Sequence, residues 1–249
     1  MEKAVHTTLD YRTAFYDCDH KGRMKISTLL KVTAEVAGYD YTIKGFTHDF
    51  LWNEGFVFLL SRISIKVYDY PRDQMPLVTE TWEGGKKGAL WKRQYRIRHG
   101  EDVLIDGTSG WILCNPVTRK IYKPSEFPYP QPQDETQFIG ALEVGRIKAE
   151  NTPTEVLRHT VKISDLDSNG HMYNAHYGDI VVNALTLEEF EQDVDNFRIN
   201  YLSEATLGEE IIICKDVSFT DKGKQKIVII GKLAREEITP CFECEIIYK

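Results

Sequence analysis

The chain has 249 residues, 42% of them hydrophobic and 28% charged, a composition typical of a globular protein with one large domain or two small ones. Its formal net charge of -7 disfavours a protein that binds nucleic acid by neutralising phosphates, so we expect no nucleic-acid partner. The apolar runs are far shorter than the roughly 18 residues of a transmembrane helix, so we expect no integral membrane segment.

A short turn sequence occurs twice in the chain. Residues 17–24 (DCDHKGRM) and 165–172 (DLDSNGHM) share two Asp, one Gly and one Met at an offset of 148 positions. Apolar residues at helical spacing follow each copy, from Ile26 to Tyr41 and from Tyr177 to Leu185, which predicts one helix of about 15 to 20 residues after each turn. The repeat indicates two copies of one fold in a single chain.

Strand patterns follow each predicted helix. We expect strands at residues 62–67, 90–98 and 103–114 in the first half, and at 198–201, 210–217, 226–234 and 242–248 in the second. The first half holds 12 more residues between helix and strand, which we place in residues 45–55. The connections are too short for parallel crossovers, so each half should be an antiparallel sheet wrapped around one apolar helix.

Prolines mark a division of the chain. Five of the nine lie between residues 124 and 153, a stretch without clear periodicity that is typical of a linker. We therefore predict an α+β protein with an N-terminal domain at 1–125, a linker at 126–153 and a C-terminal domain at 154–249. Five scattered cysteines and an N-terminus without an apolar signal region favour a cytoplasmic protein.

Asp167, Asn169 and His171 place a carboxylate, an amide and an imidazole at intervals of two residues, just before a helix expected to begin near Asn174. An amide can donate to a carbonyl oxygen, an imidazole can move a proton near neutral pH, and a carboxylate can orient either one. N–H groups at the helix start could help to hold an oxyanion. The first copy of the turn lacks this Asn and His, which predicts that only the second half is active.

The commonest cofactor and hydrolase motifs are absent from the sequence. It contains no phosphate-binding loop, no dinucleotide-binding glycine motif, no zinc-protease helix and no serine-hydrolase elbow. The Cys241–Cys244 pair lies in strand-like sequence with no second pair near it. We therefore expect no cofactor and no metal.

These features resemble the acyl-acyl carrier protein (acyl-ACP) thioesterases of bacteria and plants. The resemblance covers nearly the whole chain and includes D-L-D-x-N-x-H-x-x-N-x-x-Y at residues 165–177 and Tyr-x-x-Glu at residues 201–204. It implies two tandem hotdog domains and hydrolysis of fatty acyl-ACP thioesters to free fatty acid and carrier thiol, which terminates fatty acid chain elongation. The catalytic residues it implies are Asp167, Asn169, His171 and Glu204.

The resemblance alone does not determine which group acts as the nucleophile. The residue after the family's Glu is often Cys, but here it is Ala205, and no other cysteine, Cys214 included, has a spacing that supplies a substitute. We predict that Glu204 and His171 position and deprotonate a water molecule. Direct attack by Asp167 through an anhydride intermediate is the alternative.

The resemblance also implies a place for the substrate in the first half. The acyl chain should run along the first helix and sheet, where the available apolar residues are Leu29, Val32, Val36, Phe56, Phe58 and Trp111. An acidic carrier protein needs a basic patch, and the densest cluster is Lys86, Lys87, Lys92, Arg93, Arg96 and Arg98. Two such domains in one chain already mimic a dimer, so a further homodimer is optional.

Three other functions stay open at this point. A hotdog thioesterase for coenzyme A esters and a dehydratase for 3-hydroxyacyl thioesters would use the same fold. A non-catalytic acyl-binding protein is the third, and it is disfavoured by the presence of Asn169 and His171 in only one copy of the turn. The six other histidines, His159 and His176 among them, are expected to form local hydrogen bonds or to lie at the surface.

Overall fold

The computed structural model describes residues 5–249, which form two compact units. The first unit runs to Val144 but leaves out Ile26–Leu30, and the second unit comprises Ile26–Leu30 together with Gly145–Lys249. Within residues 5–249, none of the helices combines the length and the hydropathy needed to cross a membrane.

A five-stranded antiparallel sheet forms the first unit. Its strands are β1 (His6–Arg12), β2 (Val57–Val67), β3 (Pro76–Lys87), β4 (Leu90–His99) and β5 (Asp102–Cys114). They follow the order β1-β3-β4-β5-β2, and every neighbouring pair is antiparallel, as predicted. Sequence patterns located β4, β5 and the second half of β2, but not β1 or β3.

The first helix, α1 (Ile26–Ile43), has the predicted length and lies against this sheet. Val32, Val36 and Asp40 share its buried face at a spacing of four residues. The Asp40 carboxylate accepts hydrogen bonds from the Thr7 hydroxyl in β1 (2.6 Å) and from Arg93 in β4 (2.9 Å). A buried ionic contact thus ties the helix to the sheet.

The prediction that the extra residues of the first half lie at 45–55 is wrong, because α1 has 18 residues whereas the helix of the second half, His176–Asn183, has eight. Residues 45–55 contain a short second helix, α2 (His48–Asn53). The Thr47 side chain begins it by accepting a hydrogen bond from the Phe50 N–H (3.2 Å). The second half has a corresponding short helix at Leu187–Glu191, so most of the 12 extra residues of the first half lie in α1.

Residues 127–153 contain no helix and no strand, yet the first part of the segment is held firmly on the first unit. Phe127 is 5% exposed and packs edge-on against Trp91, with 5.5 Å between ring centroids. The Trp82 indole N–H donates to the carbonyl oxygen of Asp134 (3.2 Å). The linker boundaries at 126 and 153 stay a prediction.

The second unit repeats the architecture. Its strands are β6 (Thr154–Thr160), β7 (Val194–Tyr201), β8 (Glu210–Phe219), β9 (Gln225–Leu233) and β10 (Thr239–Tyr248), in the antiparallel order β7-β10-β9-β8-β6. Helix α3 (His176–Asn183) packs on this sheet through Tyr177, whose ring lies 5.6 Å from that of Tyr201 and 5.3 Å from that of Phe242.

The helix of the second unit is shorter than predicted. It has eight residues and ends before Ala184 and Leu185, which the helical pattern had included. The chain then starts a separate helix, α4 (Leu187–Glu191), at Thr186. The Thr186 hydroxyl accepts from the Glu189 N–H (3.2 Å), while the Glu189 carboxylate accepts from the Thr186 N–H (2.7 Å). This reciprocal cap favours a new helix over a continuation of α3.

Two glycines provide a stability test of these elements. A Cβ at Gly231 in β9 would overlap the ring of Phe242, which is fully buried, so we expect Gly231→Ala to lower the free energy of unfolding by about 1 to 3 kcal/mol. A Cβ at Gly38 in α1 meets nothing within 4 Å, so Gly38→Ala should stabilise the protein by about 0.5 to 1 kcal/mol. Thermal unfolding of both variants measures this, and equal melting temperatures would contradict the packing at β9–β10.

Candidate active site

The loop before α3 folds around the side chain of Asp167. One carboxylate oxygen, Oδ1, accepts hydrogen bonds from the backbone N–H groups of Asn169 (2.8 Å) and His171 (3.3 Å). The Asp167 N–H donates in turn to the His171 carbonyl oxygen (2.8 Å). Gly170 has a φ of +79°, a conformation that glycine adopts without steric cost. Asp167 therefore fixes the turn, and the Asn169 side chain is exposed at its tip.

His171 and Glu204 meet beside this turn. The Met172 N–H donates to the Ala205 carbonyl oxygen (2.8 Å), which joins the turn to the segment after β7. His171 Nε2 then lies 3.5 Å from Glu204 Oε2, a separation that a small side-chain movement would close to a hydrogen bond. The two side chains are 28% and 43% exposed, so water and a substrate can reach both.

The segment that carries Glu204 is anchored on both sides. The Tyr201 hydroxyl donates to the Asn174 carbonyl oxygen (3.1 Å), which links the end of β7 to the start of the helical region. The Ser203 N–H donates to the Cys241 carbonyl oxygen (3.1 Å). The Tyr-x-x-Glu spacing thus holds the carboxylate within reach of the imidazole.

Asp165, which was not predicted as a site residue, supports the loop. Its carboxylate lies 2.8 Å from His159 Nε2 and 3.5 Å from His176 Nδ1, and it accepts from the Lys162 N–H (2.8 Å). Burial opposes its ionisation, but the hydrogen bonds from Lys162 and His159 hold its pKa below the usual range. Its repeat partner Asp17 was the available signal. Within residues 5–249, no three His, Cys, Asp or Glu side chains form a group able to hold a metal ion.

The helix beside this loop begins later than predicted. Its first residue is His176, and the preceding Ala175 provides no side-chain cap, whereas the sequence favoured a start near Asn174. The His176 N–H donates to the Tyr173 carbonyl oxygen (2.9 Å), and the Gly178 N–H donates to that of Ala175 (3.0 Å). Two N–H groups of the first turn are therefore used within the protein, which leaves Asn169 as the better candidate to hold an oxyanion.

The first unit contains the same turn without the same chemistry. Asp19 Oδ1 accepts from the N–H groups of Lys21 (2.8 Å) and Arg23 (3.0 Å), and its own N–H donates to the Arg23 carbonyl oxygen (2.8 Å). Gly22 has a φ of +70°, close to that of Gly170. The carboxylate therefore builds this turn whether or not Asn and His occupy it.

In the first unit, the position of the imidazole is occupied by a guanidinium that is already paired. Arg23 Nε lies 3.0 Å from Asp19 Oδ2, and its guanidinium carbon lies 5.1 Å from the centre of the Tyr70 ring. Tyr70 corresponds to Glu204, because the Met24 N–H donates to the carbonyl of the residue after Tyr70. With Arg23 only 5% exposed, this copy presents neither a base nor an accessible amide.

Family models match both halves of the chain. The acyl-ACP thioesterase N-terminal domain matches residues 4–126, and the acyl-ACP thioesterase C-terminal domain matches residues 148–239. The chain belongs to the acyl-ACP thioesterase family. It is therefore a thioester hydrolase that acts on acyl-ACP, as predicted.

Solved thioesterases share the fold over nearly the full length of the chain. An enzyme from Bacteroides thetaiotaomicron is 19% identical, with 98% of each chain covered and a TM-score of 0.85. An oleoyl thioesterase from Lactobacillus plantarum is 19% identical, with 100% of this chain and 97% of that one covered and a TM-score of 0.82. A 12:0-ACP thioesterase from Umbellularia californica is 16% identical, with 99% and 98% covered and a TM-score of 0.76.

At these identities the similarity shows the fold, and it confirms the predicted pair of tandem hotdog domains. Among curated proteins, no sequence is similar enough to count as a relative. The roles of individual residues in this acyl-ACP thioesterase therefore rest on its own geometry.

We expect conservative and truncating variants of Asp167 to behave differently. Asp167→Asn keeps an oxygen that can accept both N–H bonds of the turn, so kcat should stay within about tenfold of the parent, whereas Asp167→Ala should lose about 10²-fold. Steady-state thioester hydrolysis measures this. Asp19→Ala is the matched control, because it opens the same turn in the first unit and should lower the melting temperature without lowering kcat.

Cys241 lies near the site, but its thiol is not suited to act as a nucleophile. The residue is 1% exposed, its sulfur lies 3.6 Å from the Tyr177 hydroxyl, and burial raises the pKa of the thiol to about 11. At pH 8 it is therefore protonated, whereas attack requires the thiolate. We expect Cys241→Ala to keep kcat within severalfold of the parent, and treatment with iodoacetamide at pH 8 to leave hydrolysis intact. Abolished turnover in a folded Cys241→Ala protein would contradict this.

Proposed function

We propose that this enzyme hydrolyses fatty acyl-ACP thioesters at the cluster of Asp167, Asn169, His171 and Glu204, releasing free fatty acid and carrier thiol and so ending chain elongation. The observation that carries the assignment is the His171–Glu204 pair, 3.5 Å apart and partly exposed, with His171 in the same turn as the exposed Asn169. The corresponding positions of the first unit hold Arg23 and Tyr70, which cannot do the same chemistry.

Water is the nucleophile in this proposal. Glu204 and His171 together take one proton from it as its oxygen attacks the thioester carbonyl carbon. The Asn169 amide donates to the carbonyl oxygen, which carries negative charge in the tetrahedral intermediate. The intermediate then expels the carrier sulfur as thiolate, which recovers a proton, and the carbonyl re-forms as the fatty acid.

In this proposal Asp167 positions the loop and does not attack the thioester carbonyl. Its Oδ1 is engaged by two N–H groups, which stabilise the carboxylate and lower its nucleophilicity. The same two contacts set the backbone positions of Asn169 and His171. An anhydride on Asp167 is the alternative, and the Asp167→Asn variant distinguishes the two routes because an amide cannot form it.

The acyl chain has a candidate cavity in the first unit. This cavity holds about 200 Å³ and is lined by Phe56, Phe58 and Trp111, three of the residues available for the chain by resemblance. Leu29, Val32 and Val36 are buried core residues and do not line it. Aromatic and aliphatic walls favour an apolar chain because its transfer out of water releases free energy in proportion to the apolar area buried.

The basic cluster predicted for carrier docking is largely neutralised. Arg93 is buried in an ion pair with Asp40, and three further basic residues pair with acidic ones; these pairs are Lys92–Glu143, Arg96–Asp106 and Arg98–Glu80. The Lys86 ammonium lies over the Trp91 ring at 4.1 Å. The pairs reduce the attraction of this strand for an acidic carrier protein, so charge reversal at Arg96 or Arg98 should affect folding more than docking.

A cytoplasmic location fits the state of the cysteines. All five are free thiols, which a reducing compartment maintains. Fatty acid elongation on a carrier protein in the same compartment would supply the substrate of this enzyme.

Release of free thiol from matched acyl-ACP and acyl-CoA substrates tests the proposal. We expect hydrolysis of acyl-ACP, and a decrease in kcat of about 10² to 10⁴-fold in His171→Ala and Glu204→Gln and of about 10² to 10³-fold in Asn169→Ala. All three side chains are partly exposed, so the variants should fold, and circular dichroism is the control.

Other outcomes would identify the competing functions. Faster turnover of acyl-CoA than of acyl-ACP favours a coenzyme A thioesterase, and formation of an enoyl product from a 3-hydroxyacyl thioester favours a dehydratase. Tight binding of acyl thioesters without turnover would indicate a non-catalytic acyl-binding protein. Full activity in all three variants would remove the site assignment.

A further inference from the structure

The cavity of the first unit has one charged wall. Most of its lining is apolar or aromatic, but Glu83 in β3 and Arg93 in β4 also face it, and they are only 2% and 3% exposed. A buried charged pair costs desolvation free energy, and apolar residues of similar volume would line a cavity for a plain hydrocarbon at least as well. The presence of this charged pair in the cavity wall is therefore better explained by a ligand that contacts it.

Arg93 has its terminal nitrogens committed inside the protein. Nη1 donates to Asp40 (2.9 Å) and to the Thr81 hydroxyl (3.2 Å), and Nη2 donates to Glu83 Oε1 (2.5 Å). Burial opposes the charge, but Glu83, Tyr41 and Asp40 hold the pKa of the guanidinium above its usual value. An anionic group on a ligand would meet the Glu83 carboxylate and few free N–H donors, which disfavours a carboxylate or a phosphate in the cavity.

Glu83 uses its two oxygens unequally. Oε1 accepts from Arg93 and from the Tyr41 hydroxyl (3.2 Å). Within residues 5–249, no hydrogen bond reaches Oε2, although it belongs to a carboxylate beside a cavity. A second lining residue, Trp91, has an indole N–H that is buried and donates to no described residue. The cavity wall thus holds a carboxylate oxygen that accepts no hydrogen bond and a buried N–H that donates none, and a ligand that supplies a partner to either one gains free energy.

We propose that this cavity takes an acyl chain bearing a hydroxyl group, and that the hydroxyl donates its hydrogen bond to Glu83 Oε2. This inference rests on the proposed acyl-thioester hydrolysis and specifies its substrate class. A neutral donor is sufficient, because the Arg93 guanidinium already balances the negative charge of Glu83. A cationic group would add a second positive charge beside Arg93, and an apolar chain would leave Oε2 without a partner.

The test is a scan of the hydroxyl along the chain. Thioesters of one chain length are compared with no substituent, with a hydroxyl at successive carbons, and with an oxo group at the same carbons. An oxo group accepts hydrogen bonds but cannot donate one, so it controls for polarity and size. In the parent enzyme we expect kcat/KM for one hydroxyl position to exceed that of its oxo analogue and of the plain chain by about 10- to 100-fold.

Glu83→Gln tests the residue directly. The amide oxygen can still accept from Arg93 and Tyr41, but the other atom becomes an N–H₂ donor, so the preference for hydroxyl over oxo should disappear or reverse. Glu80→Gln is the matched control, because Glu80 lies on the same strand, pairs with Arg98 and His6, and does not line this cavity. Its hydroxyl preference should equal that of the parent.

The outcomes separate this inference from the proposed function. If the enzyme hydrolyses plain thioesters and favours no hydroxyl position, the inference is overturned and the proposed function stays in place. If Glu83→Gln keeps the hydroxyl preference of the parent, the role of Glu83 is overturned. If Glu83→Gln does not fold, the inference is tested only by the kcat/KM values of the parent enzyme for hydroxyl and oxo thioesters. Failure to hydrolyse any acyl thioester removes the proposed function. In that case, calorimetry compares the affinity of the protein for free hydroxylated fatty acids with its affinity for plain fatty acids. Equal affinities overturn the inference.

Discussion

The geometry of the candidate site depends on one carboxylate that accepts two backbone N–H bonds. Asp167 holds Asn169 and His171 in this way, and Asp19 holds the corresponding turn of the first unit with the same pattern of contacts. Because the interaction is between a side chain and the backbone, the residues at the tip can change without opening the turn. One scaffold can therefore carry reactive groups in one unit and none in the other.

The two units carry different side chains on this shared turn. In the second, an imidazole faces a carboxylate at 3.5 Å and both are open to water; in the first, Arg23 pairs with Asp19 and stacks on Tyr70 at 5.1 Å. An arginine cannot serve as a base near neutral pH, because its pKa lies far above the working range. Arg23 is also buried by these contacts, so the first turn has a structural role, while its unit supplies the cavity.

Sequence patterns predicted those parts of the molecule that depend on neighbouring residues. The repeated turn, α1 and strands such as β4 all show a period that local contacts enforce. The end of α3 was predicted wrongly because the capping contacts between Thr186 and Glu189 override a helical pattern that continues through Ala184. The 3.5 Å approach of His171 to Glu204 joins residues 33 positions apart, and the family motifs, rather than any periodicity, pointed to it.

Burial of charge changes how the basic cluster of the first unit is interpreted. A count of Lys and Arg along β4 treats every side chain as solvated, but strand alternation turns Arg93 inward, where Asp40 and Glu83 surround it. Lys44 lies 2.6 Å from Asp40, so the buried group contains two cations and two carboxylates and is close to neutral. A neutral buried cluster is weak evidence for stability, because apolar residues could fill the same volume. Its unequal use of the two Glu83 oxygens is therefore better explained by what enters the cavity than by what holds α1 to the sheet.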